Sequence, residues 1–239
     1  MAAVSMPSDG DVVAEGSRAT GGLLRRHGWK FLLLFVGVLL PMWGFMALAD
    51  EVHEAEVIPF DEPVLLFAQQ IARDGFTRVF LFFSEIGYAW GVVPVDIGLA
   101  LVLLAMKRWR DGLFVALATG GSALLNLATK RLFARDRPSL WESIAPEATY
   151  SFPSGHAMGS MTLAAVLILL AWPTRARWWV VGAMAVFVPM VGLSRVYLGV
   201  HYPSDILAGW AAASAWVIGV YLVMYHRPRF GRSATAQAG

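Results

Sequence analysis

The chain has 239 residues, 57% of them hydrophobic and 15% charged, with a mean hydropathy of +0.58, which is far more apolar than a soluble domain and points to a membrane protein. It contains no cysteine, which excludes a disulfide framework, a thiolate metal site and a cysteine nucleophile. The net charge of +2 includes no basic stripe interleaved with aromatics, so nucleic acid is not an expected partner.

Residues 1–28 are rich in Ala, Gly and Ser with scattered charge and read as a disordered cytoplasmic tail. Arg25, Arg26 and Lys30 then lead into an apolar run, 31–49, without a small-residue cleavage site, which predicts a first spanning helix rather than a signal peptide. An acidic segment follows (Asp50, Glu51, Glu54, Glu56, Asp61, Glu62). Beyond it Val64, Phe67, Ala68 and Ile71 recur at i, i+3, i+4, i+7, the spacing of an interfacial amphipathic helix, with a helix packed on the bundle as the alternative.

The apolar stretch 76–106 is too long for one straight span and breaks naturally at Gly87, leaving a second span near 89–106. Four more are expected near 112–129, 157–172, 178–193 and 206–225, followed by a short cytoplasmic tail over 228–239. The linkers are short and no internal repeat is evident. The expected fold class is therefore an all-α integral membrane protein, one six-transmembrane-helix bundle over 29–227, with both termini on one side.

Arg18, Arg25, Arg26 and Lys30, then Lys107, Arg108 and Arg110, then Arg175 and Arg177, then Arg227, Arg229 and Arg232 all fall on that side, which the positive-inside rule makes cytoplasmic. Trp29, Trp109, Trp172, Trp178 and Trp179 mark the same span ends, as interfacial anchors do. The opposite side gathers Lys130, Arg131, Arg135, Arg137 and Arg195 against the topological preference, and cations so placed point to function.

Three stretches emerge together on that extracytoplasmic face: Lys130 with Arg137-Pro138; Pro153-Ser154-Gly155-His156; and Ser194-Arg195 with His201 and Asp205. They supply cations for phosphate oxygens, a second histidine to move a proton and a carboxylate to orient a histidine nucleophile. Plainer readings stand beside these: snorkelling for Lys130 and Arg137, a helix cap for Ser154, solvated loops for His27, His53 and His226. Arg131 and Arg135, outside the three stretches, read as snorkelling residues. Asp96, inside the second span, reads as a buried structural hydrogen bond or as part of a substrate path, and Glu85 is equally open.

Lys130, six residues, Arg137-Pro138; Pro153-Ser154-Gly155-His156; and Ser194-Arg195, five residues, His201, three residues, Asp205 together resemble the complete three-part signature of the type 2 phosphatidic acid phosphatase family. The six-span layout resembles the family's integral-membrane branch. The resemblance implies that His201 attacks phosphorus to form a phosphohistidine, that Asp205 orients it, and that His156 protonates the leaving oxygen and then activates water. It assigns Lys130, Arg137 and Arg195, with donors from Ser154 and Gly155 at a helix start, to the phosphate oxygens.

The implied substrates are lipid phosphates or diphosphates: undecaprenyl diphosphate, phosphatidylglycerophosphate, phosphatidic acid or lysophosphatidic acid, in what would be a bacterial plasma membrane. Protein cations do the electrostatic work and acidic residues are sparse near the three stretches, so no metal and no cofactor is expected. The same residues suit a phosphotransferase that passes the phosphohistidine to an alcohol and, less well, a carrier of lipid phosphates. Related vanadate haloperoxidases share the cradle but resemble soluble proteins. No oligomeric state follows from the sequence.

Overall fold

The computed structural model describes residues 28–225, and every regular element among them is a helix. The expected terminal tails, with His27 and His226, lie outside the described residues. The helices are α1 Gly28–His53, α2 Asp61–Gln70, α3 Asp74–Ile86, α4 Val92–Ala105, α5 Trp109–Phe133, α6 Gly155–Ala171, α7 Arg177–Tyr197 and α8 Pro203–Tyr225.

Helices α1, α5, α7 and α8 are long and apolar enough to cross a membrane; α4, of 14 residues, and α6, of 17, are apolar but shorter. At 1.5 Å per residue the two shorter helices reach roughly 21 and 26 Å, against a hydrocarbon core of roughly 30 Å. By length and composition four helices can each cross a membrane, where six spans were expected. The long apolar stretch breaks between α3 and α4, as Gly87 led one to expect.

Helix α2 corrects the expected phase. Its buried positions are Asp61, Leu65 and Ala68, whereas Val64 and Phe67 are exposed. Leu65 and Ala68 pack on Ala157, Val196 and Ile206, so α2 is docked on the bundle by one face. Helix α8 runs through the middle, against α1, α5 and α6. Its neighbours Phe114, Val115 and Val166 meet Val217 in a fully buried core, and the outer faces of the helices stay apolar, with Leu101, Leu124 and Val223 exposed as lipid-facing residues are.

Chain direction sorts the ends of the bundle. Trp109 opens α5, Trp172 follows α6, and Trp178 and Trp179 open α7, all exposed at one end. At the other end α5 and α7 finish while α6 and α8 begin, and there Lys130, His156, Arg195 and Asp205 converge.

Candidate active site

Two turns of backbone build the site. Helix α5 stops at Ala134, in the left-handed conformation, and an irregular segment runs from there to Ser154. It is tied back by Ser151 N–H to the Arg135 carbonyl at 2.9 Å and by Asn126 Nδ2 to the Pro153 carbonyl at 3.1 Å; the Phe152–Pro153 peptide is cis. Ser154 caps α6, its hydroxyl accepting from Ala157 N–H at 3.4 Å while its own N–H donates to the Asp205 carbonyl at 3.1 Å. Gly209 permits this join: a Cβ there would lie 2.9 Å from the Ser154 carbonyl oxygen, so only glycine lets α8 come this close to the start of α6.

The second turn links α7 to α8 and carries His201. Gly199 has φ +68°, and the Trp141 ring occupies the space a Cβ would take, 2.6 Å away. Positive φ and close approach together require glycine here.

His201 is fully buried, and its Nδ1 lies 3.2 Å from Asp205 Oδ2. That carboxylate also accepts Tyr202 N–H at 2.9 Å and, on Oδ1, Arg135 Nη1 at 2.7 Å. Arg135 reaches on through Nη2 to Asp61 Oδ2 at 2.8 Å, and Asp61 accepts the Ser204 N–H at 2.9 Å. On the other ring edge Arg137 Nη1 stands 3.1 Å from His201 Nε2. A guanidinium can only donate, so Nε2 presents its lone pair and the ring proton sits on Nδ1, facing Asp205. Burial, reinforced by the positive charges of Arg137 and Arg195, holds the His201 pKa well below 6.5 and keeps the ring neutral.

The cradle around Nε2 already holds an anion. Glu147 accepts from Arg137 Nη2 at 2.6 Å and from Arg195 Nη2. Its Oε1 lies 3.7 Å from His156 Nδ1 and its Oε2 3.9 Å from His201 Nε2. Burial pushes the Glu147 pKa up, but Arg195 and Arg137 outweigh it and leave the group below its usual 4.5. Arg195 is 2% exposed and donates its other Nη to Ser84. Lys130 reaches the Tyr150 carbonyl and lies 3.5 Å from Thr149 Oγ1, while the His156 ring packs at a tilt against Tyr88 with ring centres 5.0 Å apart.

The structure thus brings Lys130, Arg137, Ser154, Gly155, His156, Arg195, His201 and Asp205 to one end of the bundle. Two expectations are corrected. Arg135 is not a snorkelling residue, because two buried carboxylates hold it. Acidic residues are not sparse near the site: Glu147 and Asp61 belong to it, each paired with arginine. No grouping of three His, Cys, Asp or Glu side chains able to hold a metal occurs among the described residues. The Oδ1 of Asp96 has no hydrogen-bond partner among the described residues.

Comparison with known proteins follows the same lines. The model of the PAP2 superfamily matches residues 111–229. Phosphatidylglycerophosphatase B of Bacillus subtilis is 29% identical over 175 residues, 70% of this chain and 84% of the relative. Decaprenylphosphoryl-5-phosphoribose phosphatase of Mycolicibacterium smegmatis is 41% identical over 165 residues, 63% of this chain and 82% of the relative. The crystal structure of a transmembrane PAP2-type phosphatidylglycerolphosphate phosphatase from Bacillus subtilis superimposes with a TM-score of 0.71 at 26% identity, over 81% of this chain and 98% of that one.

Proposed function

Since the chain belongs to the PAP2 superfamily and is an integral membrane lipid phosphatase, we propose that it hydrolyses a lipid phosphate or diphosphate, without a metal ion, through a phosphohistidine on His201. The observation that carries this reading is the Glu147 carboxylate held by Arg137 and Arg195 within 3.9 Å of both histidines. An anion sits where a phosphate would have to sit, with a lone pair on one side and a second imidazole on the other.

The incoming phosphate displaces Glu147 and takes Arg137, Arg195 and Lys130 on its nonbridging oxygens, with further donors from Ser154, Gly155 and the first free N–H groups of α6. Moving Arg137 onto the phosphate uncovers His201 Nε2. That nitrogen attacks phosphorus; the N–P bond forms, the P–O bond to the lipid breaks, and His156 gives the leaving oxygen its proton. Charge developing on the His201 ring is met by Asp205 at Nδ1, and Arg135 holds Asp205 in place. His156, now neutral, takes a proton from water, whose oxygen attacks phosphorus, breaks the N–P bond and releases inorganic phosphate. The phosphate's negative charge favours the protonated form of His156 that the first step needs.

The layout that accompanies this chemistry has six spans, α4 and α6 crossing alongside the four longer helices. The basic and tryptophan-rich end would face the cytoplasm and the site would face outward, most naturally in a bacterial plasma membrane. Undecaprenyl diphosphate, phosphatidylglycerophosphate and phosphatidic acid are the substrates to test. Detergent-purified protein in EDTA should release phosphate from at least one of them, and His201→Ala should not. Equal release by His201→Ala, or a strict requirement for added Mg²⁺, would overturn the reading.

A further inference from the structure

Beneath His156 the wall between α4, α5 and α6 opens into a cavity of about 200 Å³ that shares Tyr88, Asn126 and Gly155 with the cavity beside His156. Its walls step down from the site in register. The Tyr88 ring packs at a tilt against His156; one turn lower, a Cβ on Gly159 would lie 3.6 Å from Val92 Cγ1; one turn lower again along each helix, Asp96 of α4 and Thr162 of α6 line the same cavity, the Thr162 hydroxyl 2.7 Å from that of Ser122. Thr162 is six residues along α6 from His156, roughly 9 Å at 1.5 Å per residue.

The polar groups at this depth differ in one respect. Ser122 and Thr162 share one hydrogen bond, and Thr119 donates its hydroxyl to the Val115 carbonyl. Asp96, 8% exposed and lining the cavity, has no partner for Oδ1. A buried carboxyl left without a hydrogen bond beside a largely apolar cavity is unfavourable unless a molecule in the cavity supplies the missing group. The other lining residues, Val92, Val93, Ile97 and Met158 among them, suit a hydrocarbon chain. The molecule that fits is apolar with a polar atom at one fixed distance from its phosphate. A polyprenyl phosphate offers only carbon there; a diacylglycerol phosphate offers its acyl ester carbonyls as the next polar groups after the phosphate.

Resting on the lipid phosphatase reading, we propose that Asp96 is a specificity-determining residue, its carboxyl in the protonated form donating a hydrogen bond to an acyl ester carbonyl of a glycerol-based lipid seated between α4, α5 and α6. The experiment compares phosphate release by the full chain, Asp96→Val and Asp96→Asn from dioleoyl phosphatidic acid, its dialkyl ether analogue without carbonyls, and farnesyl phosphate. Loss of one buried hydrogen bond should raise KM for the ester lipid about tenfold in Asp96→Val while the ether lipid and farnesyl phosphate change less than about twofold. Asp96→Asn, which keeps an N–H donor, should retain most of the ester preference.

Equal losses on all three substrates would make Asp96 a structural residue and overturn the proposal, as would no change on any. Either result leaves wild-type turnover, and with it the phosphatase reading, intact. A wild-type protein that releases phosphate from none of them overturns that reading and takes this one with it.

Discussion

At the end of the bundle where α5 and α7 begin, Arg108 and Asp111 pair one helical turn apart with side chains 49% and 21% exposed, and Trp109, Trp178 and Trp179 face outward. At the opposite end Arg135, Arg137 and Arg195 are enclosed together with Asp61, Asp205 and Glu147. A pair like the first contributes about 0–1 kcal/mol, because water already solvates both partners. The second arrangement carries a desolvation penalty of several kcal/mol per ion, which only dense pairing offsets. Buried charge is thus concentrated at the proposed phosphate site, and the far end shows what charge does when it serves only to anchor helices.

The contrast is tested most severely at His201. Its replacement by alanine should lower phosphate release about 10³-fold or more, as removal of a covalent nucleophile does, with the protein still eluting as the same species from a sizing column. Next comes Arg135→Leu, which strands Asp61 and Asp205 without their cation. A loss of about 3–5 kcal/mol is expected by urea titration, and a loss below 1 kcal/mol would mean that the network is better solvated than its burial implies. Glu147→Gln removes the internal competitor while keeping a neutral hydrogen-bonding group on Arg137 and Arg195, so orthophosphate should inhibit about tenfold more tightly; weaker inhibition would show that Glu147 recruits phosphate instead.

A pH series separates the ends further. Because the folded-state pKa of His201 lies below its unfolded 6.5, its contribution to stability is complete above pH 6.5 and is lost as pH falls below that value, with a slope of up to about 1.4 kcal/mol per pH unit. Thermal melts of wild type and His201→Gln at pH 7.5 and 5.5 should therefore converge at the lower pH. Parallel curves would contradict the depressed pKa. The smallest effect belongs to Arg108→Ala, under about 1 kcal/mol at any salt concentration.

The residues proposed to bind phosphate could be read from the chain because they sit at fixed spacings at or just beyond helix ends, and the alternating direction of the helices returns those ends to one side. Glu147 could not. It lies in the irregular segment after α5, Glu142 stands only five residues away, and nothing in spacing says which carboxylate folds inward. Arg135 was hidden for a related reason: its partners, Asp61 and Asp205, lie 74 and 70 residues distant. The phase of α2 was ambiguous because residues 64–68 are apolar without interruption. What selects the Leu65 and Ala68 face is Asp61, one turn earlier, bound by Arg135 and Ser204. A tertiary ion pair, not the pattern of apolar residues, sets the helix rotation.

The carboxylate of Glu147 also changes what an unoccupied site means in this molecule. In the proposed mechanism the cradle of Arg137 and Arg195 works as an ion exchanger: one anion leaves as another arrives, and its positive charge is never bare. Substrate entry is then a swap against a tethered group whose local concentration is constant. Product departure is the same swap reversed, with the tether driving phosphate out. The rate of the last step would follow from the length and stiffness of the segment between α5 and α6, a part of the chain that makes and breaks no bond in the reaction itself.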